Sequence, residues 1–314
     1  MTDITAPGPP VATVRPSTSI PSRIVTLVAV LIPPVGVLCA MGLLWEVAVR
    51  PVDAIMLVAL YIATGLGITV GFHRLFSHRS FKAHPVVRAA LAILGSMTIQ
   101  GPVTQWVTDH RKHHALSDQQ GDPHSPHGRD GLLGGLGGFL HAHMGWLVTT
   151  KGMERGRRYG RDLYDDPLVR TIDRLYMLWV VLSLAIPFAV GYAVEPTLRG
   201  GLTGMVWGGL VRIFLFHHMT WSVNSVCHTF GRRSFETADE SRNNWLVALP
   251  TFGEGWHNNH HAFPGSAIHG LGRRQVDVSW WTIRALERLG LAWDVKVPAA
   301  ARIAHRAGQS PSSA

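Results

Sequence analysis

The chain has 314 residues, 46% of them hydrophobic and only 16% charged, with a net charge of +9 and a mean hydropathy of +0.15. Soluble domains carry about 25% charged residues, so this chain lacks the charge to coat an ordinary globular surface. Disorder, a fibre and a soluble DNA-binding domain are disfavoured, and a membrane protein is indicated.

Residues 1–22 are rich in Pro, Ser and Thr and hold no apolar run, so they read as a disordered tail, as do residues 307–314. A bilayer-crossing helix needs roughly 20 apolar residues. Four stretches qualify: about 24–45, kinked at Pro33 and Pro34, then 54–72, 175–194 and 202–223. A fifth, Val86 to Ile99, is shorter and carries Arg88, which suits a re-entrant or interfacial helix. The glycine-rich run Gly131 to Gly138 does not fit a dinucleotide fingerprint and reads as a loop.

Residues 73–174 carry 14 Lys and Arg and residues 224–314 carry 10, whereas the short loops near Arg50 and Arg199 carry one each. The positive-inside rule puts both termini in the cytoplasm, with a cap made of 73–174 and 224–306. The expected fold is an all-α membrane protein with one domain over 23–306: four transmembrane helices under a cytosolic helical cap. The cations flank apolar runs instead of forming a soluble basic face, so no nucleic-acid partner is expected. Two cysteines, Cys39 and Cys227, exclude a disulfide framework and argue against a cysteine-ligated metal.

Histidine is the unusual residue, with 18 against 20 Asp plus Glu. Three clusters stand out: His73-Arg-Leu-Phe-Ser-His78, His110-Arg-Lys-His-His114 and His257-Asn-Asn-His-His261. On a helix, positions i, i+3 and i+4 share a face, so His110, His113 and His114 converge, as do His257, His260 and His261. Asn224 and His228 stack one turn apart. Eight box histidines plus His228 are too many for one tetrahedral zinc but suit two metals. Imidazole accepts Zn, Cu, Fe or Ni, and a two-metal site handling oxygen favours iron. All three boxes fall on the cytoplasmic side provided that 86–99 does not span. The other nine histidines lack this spacing and are read as supporting the ligands from behind, lying at the surface or packing in the interior.

These motifs resemble those of the integral-membrane fatty acid desaturases, in particular the acyl-CoA Δ9 (stearoyl-CoA type) desaturases. The resemblance rests on Gly71-Phe-His-Arg-Leu-Phe-Ser-His78, Asp109-His-Arg-Lys-His-His114, Gly121-Asp-Pro-His124, Gly145-Trp-Leu147, Thr220-Trp-Ser-Val-Asn-Ser-Val-Cys-His228 and Gly253-Glu-Gly-Trp-His-Asn-Asn-His-His-Ala-Phe-Pro264. It covers roughly residues 55–295. It implies a di-iron centre, with His73, His78, His110, His114 and His261 on one iron. His113, His228, His257 and His260 then hold the other, with Asn224 reaching it through water. It also implies a kinked acyl tunnel shaped by Gln100, Trp106 and Thr220. Two departures concern the headgroup: Thr108 stands where the vertebrate enzymes have a CoA-holding Arg, and Gly101-Pro102 where they have Asn-Asp. The basic run Lys151, Arg155, Arg157, Arg158 and Arg161 reads equally as phosphate contacts or as a solvated cytoplasmic face.

The reading is therefore an O2-dependent desaturase that introduces a cis double bond, at Δ9, into a saturated long-chain acyl-CoA. Breaking an unactivated C–H bond needs an oxidant made from O2 at a metal. Reduction of O2 to two waters requires two external electrons. No flavin, haem or iron–sulfur signature appears, so a separate donor is expected, ferredoxin- or cytochrome b5-like with an NAD(P)H reductase. Asp109, Asp122, Asp239, Glu240 and Glu254 are candidates to orient the histidine ligands, with Asp109 and Glu254 favoured because they flank the boxes. Arg212, inside the fourth apolar stretch, reads as functional or as part of a buried ion pair. A bacterial plasma membrane is the expected location. The alternatives are a related di-iron hydroxylase and, more remotely, a histidine-rich metal transporter.

Overall fold

The computed structural model describes residues 49–128, 131–149 and 157–308, together with most of 27–42. The 1–22 tail, Lys151 and Arg155 lie outside the described residues. The chain is mostly helical, with one small antiparallel pair, Lys82–Ala83 with Ala292–Trp293.

Among the described residues two helices are long and apolar enough to cross a membrane, Pro51–Ser77 and Tyr176–Val194. The expected fourth span forms a continuous helix over 198–225 but is less apolar, because it carries Arg212, His217 and His218. The expected first span is helical wherever it is described. The ends of three helices meet at Arg50, which pairs with Asp53 and Glu195 at 2.7 Å each and donates to the Gly200 carbonyl. Proline at the first helical position starts Pro51–Ser77 without wasting an N–H.

From Gly67 onward that helix widens into π-type turns, all of them buried, and these carry His73 and His78 to its end. Gly67 allows the widening against a neighbour: a Cβ there would lie 2.2 Å from the Gly95 amide nitrogen. Gly95 belongs to Pro85–Ser96, a 12-residue helix too short to cross a bilayer. Its length fits the re-entrant or interfacial helix expected for 86–99.

Arg212 is 1% exposed, and its partners are neutral oxygens, not a carboxylate. It donates to the Gly208 carbonyl, to Thr64 Oγ1 at 3.0 Å and to Ser183 Oγ at 2.5 Å. One guanidinium thus joins Pro51–Ser77, Tyr176–Val194 and the 198–225 helix.

The glycine-rich run is a helix, Gly131–Leu140, and not a loop. Leu133, Leu136 and Leu140 recur at helical spacing there and are exposed, so the leucines, not the glycines, carry the signal. At the other end of the chain, Ala300–Ala307 is helical and reaches the first residue assigned to the C-terminal tail.

The largest core includes Phe72, Phe76, Val103, Phe216, Phe252 and Ile283, which lock the cap onto Pro51–Ser77. Gly253 follows Phe252 at φ +113°, and a Cβ there would lie 2.5 Å from Asp277 Oδ1. Asp277 is already engaged by Arg74, by Trp280 N and by the amides of His269 and Gly270. Gly253→Ala is expected to destabilise by at least about 2 kcal/mol, from strain plus the clash. Thermal unfolding in detergent would show a lower midpoint than wild type.

Candidate metal centre

Each HxxHH box lies on a short helical run, Val103–Leu116 for the second and His257–Ala262 for the third. The first of these starts where Asp173 accepts from the amides of Val103 and Thr104. The structure brings all nine imidazoles together in two groups. One is His73, His78, His110, His114 and His260; the other is His113, His228, His257 and His261. Within each group the ligand atoms lie within 4.8 Å of one another.

This division corrects the one implied by resemblance, in which His260 and His261 were exchanged. In both boxes the first and last histidines share a group while the middle one crosses to the other. Residues i and i+4 lie about 40° apart around a helix of 3.6 residues per turn, whereas adjacent residues lie about 100° apart. His110 and His114 thus aim one way and His113 another; likewise His257 and His261 against His260.

Four carboxylates lie behind the rings. Glu254 contacts His73 Nδ1, and also Arg74. Asp122 meets His113 Nδ1 at 2.9 Å, Asp118 meets His228 Nδ1 at 2.7 Å and Asp239 meets His261 Nδ1 at 2.7 Å. A carboxylate at Nδ1 fixes the ring proton there and leaves Nε2 as a lone pair. Those lone pairs converge. His257 Nε2 lies 3.0 Å from His228 Nε2 and 3.1 Å from His261 Nε2, and with one proton it can satisfy only one of them. His113 Nε2 is buried with no hydrogen-bond partner among the described residues. In the other group His73 Nε2 and His260 Nε2 are 3.1 Å apart, and His78 Nε2 and His110 Nε2 are 2.8 Å apart.

Lone pairs packed this closely repel unless a cation lies between them. Two nitrogens bound at right angles about 2.1 Å from one ion are about 3.0 Å apart. The donor set therefore fits two metal ions.

Electrostatics agree. Burial, reinforced by neighbouring imidazoles, holds His78, His110, His114, His257 and His260 well below the ordinary histidine range, so they stay neutral, as ligands must be. Burial also takes His261 down to about 4 against the pull of Asp239. His113 runs the other way: burial lowers it, but Asp122, Asp118 and Asp239 together raise it above its usual value. Three clustered carboxylates demand positive charge, which a metal would supply. Burial opposes ionisation of Asp118, Asp122 and Asp239, yet their histidine partners hold all three below the usual carboxylate range.

Asp118 was absent from the sequence candidates. Its signal was available: Asp118 and Asp122 both follow the second box in the Ser117-Asp-Gln-Gln-Gly-Asp122 turn. Of the nine other histidines, His124 and His269 pack behind the ligand rings: those of His113 and His124 lie 4.3 Å apart, and those of His260 and His269 4.4 Å apart.

Beside the clusters lies a cavity of about 60 Å³ lined by Gln100, Trp106, Asp109, His110, His124, Trp146, Thr220, Trp221 and Asn224. Trp106 Nε1 donates to Gln100, whose amide donates to Thr220 Oγ1 at 2.9 Å. The Trp106 ring stacks on His110 at 5.1 Å. The expected substrate trio and two of the expected metal-side residues, Asp109 and Asn224, therefore share one wall. Arg158 is exposed on Arg157–Tyr164.

The sequence profile of the fatty acid desaturase family matches residues 51–295. The chain is 43% identical over 275 residues to the hex-5-enoyl-[acyl-carrier protein] acetylenase of Moorena producens, covering 87% of this chain and 85% of that protein. It is 42% identical over 251 residues to the sn-1 stearoyl-lipid 9-desaturase of Synechocystis, covering 79% and 73%. It is also 42% identical over 244 residues to the acyl-CoA C20 Delta5-desaturase of Anemone leveillei, covering 76% and 72%. The chain belongs to the fatty acid desaturase family.

Proposed function

We propose that the nine imidazoles hold two iron ions and that the protein introduces a cis Δ9 double bond into a saturated long-chain acyl group. The observation that carries this is the convergence of buried Nε2 lone pairs, pinned from behind by Glu254, Asp118, Asp122 and Asp239. Bound iron supplies the O2-derived oxidant that an unactivated C–H bond requires. Two hydrogens leave adjacent methylenes, and two electrons and two protons from outside complete the reduction of O2 to two waters. The electrons come from a separate redox protein docking on the cytoplasmic side.

The chain's own residues bind and position. Gln100, Trp106 and Thr220 form the cavity wall that bends the acyl chain past His110. Trp146 and Trp221 keep that wall apolar and exclude water. Asn224 faces the same cavity and is proposed to reach the second ion through water.

The carrier read from the sequence is CoA. A second reading, an acyl chain esterified in a membrane lipid, is favoured by Thr108. That residue is 3% exposed and donates to the Thr104 carbonyl. Helix Arg157–Tyr164 closes over it, since a Cβ on Gly160 would lie 2.7 Å from Thr108 Oγ1. A phosphate cannot be held there. The Synechocystis relative is named for a lipid substrate and the Anemone one for acyl-CoA.

Expression in a desaturase-deficient host with a supplied electron donor tests both. A new monounsaturated acid with its bond at carbon 9 is expected. Pulse labelling then separates carriers by whether the product appears first in acyl-CoA or in phospholipid. A hydroxylated product without a double bond would overturn the reading.

A further inference from the structure

Trp245, Leu246 and Leu249 are 60%, 63% and 50% exposed at a short helical turn, Trp245–Ala248, just ahead of the third histidine box. Phe230 stands beside them, also exposed, and its carbonyl accepts from the Asn244 amide. Four large apolar side chains grouped on one surface mark an interaction site. Their position along the spanning helix identifies the partner. Tyr61 donates its hydroxyl to the Pro250 carbonyl at 2.8 Å, and the Phe252 ring fills the space at Gly65, 2.4 Å from where a Cβ would stand. Tyr61 and Gly65 fall within the first roughly 20 residues of Pro51–Ser77, the length that crosses hydrocarbon. On the same helix Ile55, Val58 and Ile62 form an exposed apolar stripe, so the patch continues a lipid-facing surface.

The backbone is prepared for the same environment. Hydrocarbon offers no water to satisfy amides, so inserted segments must satisfy their own. From Leu246 to Gly253 every N–H is bonded. The Asn244 side chain accepts from Leu246 and Val247, and carbonyls within 244–249 accept from Ala248, Leu249, Thr251, Phe252 and Gly253. The remaining position is Pro250, which has no N–H.

We infer that residues 245–250 form a membrane-inserted turn seated in the hydrocarbon of the cytoplasmic leaflet, outside the aqueous cap. The inference rests on the reading that the chain spans a bilayer. Its consequence is mechanical: the lipid holds the segment that leads directly into His257, so the third box is anchored from the membrane side.

The test is nitroxide accessibility in nanodiscs of phosphatidylcholine and phosphatidylglycerol. Cys39 is exposed and is replaced by Ser, while Cys227 is buried and needs no change. Labels are placed at Leu246→Cys, at Leu249→Cys, at Val58→Cys on the spanning stripe, and at Glu236→Cys on the exposed cap. Labels at 246 and 249 are expected to collide with O2 and to be shielded from a water-soluble nickel chelate, as at 58 and opposite to 236. If 58 reads as lipid while 246 and 249 read as water, the inference fails and the spanning reading stands. Water access at 58 would sink both. Shielding of 246 and 249 from both reagents means that protein, such as a second copy, covers the turn, and that also overturns the inference.

Discussion

His113→Ala is expected to abolish desaturation while leaving a folded, membrane-bound protein that retains about one iron per chain. His113 Nε2 is buried, has no hydrogen-bond partner among the described residues, and sits in the four-imidazole group. Its removal takes one of four ligands and leaves Asp122 without its ring, a penalty of about 1–3 kcal/mol for an unsatisfied buried group. The amides of Asp118 and His124 still bond Asp122, so the turn survives. The measurements are metal content, gel filtration in detergent and the fatty acid profile of the host. His218→Ala is the control. His218 pairs with His143 at 2.9 Å outside both groups, so this variant should keep both irons. Turnover retained by His113→Ala would exclude His113 as an essential ligand.

The sequence made the boxes legible because their spacing is local: i, i+3 and i+4 on a helix is a pattern that needs no tertiary knowledge. The shortness of Pro85–Ser96 was legible for the same reason: an apolar run ending at Ile99 needs no tertiary knowledge to be measured. Which group each histidine joins was not. His260 meets His73, 187 positions away, and only the angle between the third-box helix and the π-type end of Pro51–Ser77 decides that pairing. The angular argument sets His260 apart from His257 and His261, but not which ion each side faces. The carboxylates divide similarly. Glu254 was found because it flanks a box, whereas Asp118 lies 110 positions from the His228 ring that it holds. Arg212 was legible as an anomaly but not as a three-helix tie, because its partners Thr64 and Ser183 are ordinary residues in apolar runs. The glycine run misled because it was tested against a dinucleotide fingerprint and not for the helical spacing of Leu133, Leu136 and Leu140.

Asp118→Asn is expected to weaken one of the two ions by about 10–100-fold and to leave the other unchanged. The two groups are built unequally. Three of the four rings in the His113 group have an aspartate at Nδ1, whereas in the five-ring group a carboxylate, Glu254, holds His73. Asp118 Oδ1 also accepts from Ser125 Oγ, and Oδ2 from the Glu240 amide; an asparagine oxygen in the place of Oδ2 keeps the Glu240 contact while losing the charge. Without the charge the His228 proton is held less firmly at Nδ1, and the Nε2 lone pair becomes less basic and a weaker ligand. Dialysis against a mild chelator, followed by iron analysis, should bring the variant to about one iron per chain under conditions where wild type keeps two. Glu254→Gln should instead loosen the ion of the His73 group. Because Glu254 also pairs with the fully buried Arg74, that variant should lower the thermal midpoint as well, which Asp118→Asn should do far less. If Asp118→Asn retained both ions as firmly as wild type, or lost both together, the carboxylates would not be acting on separate ions.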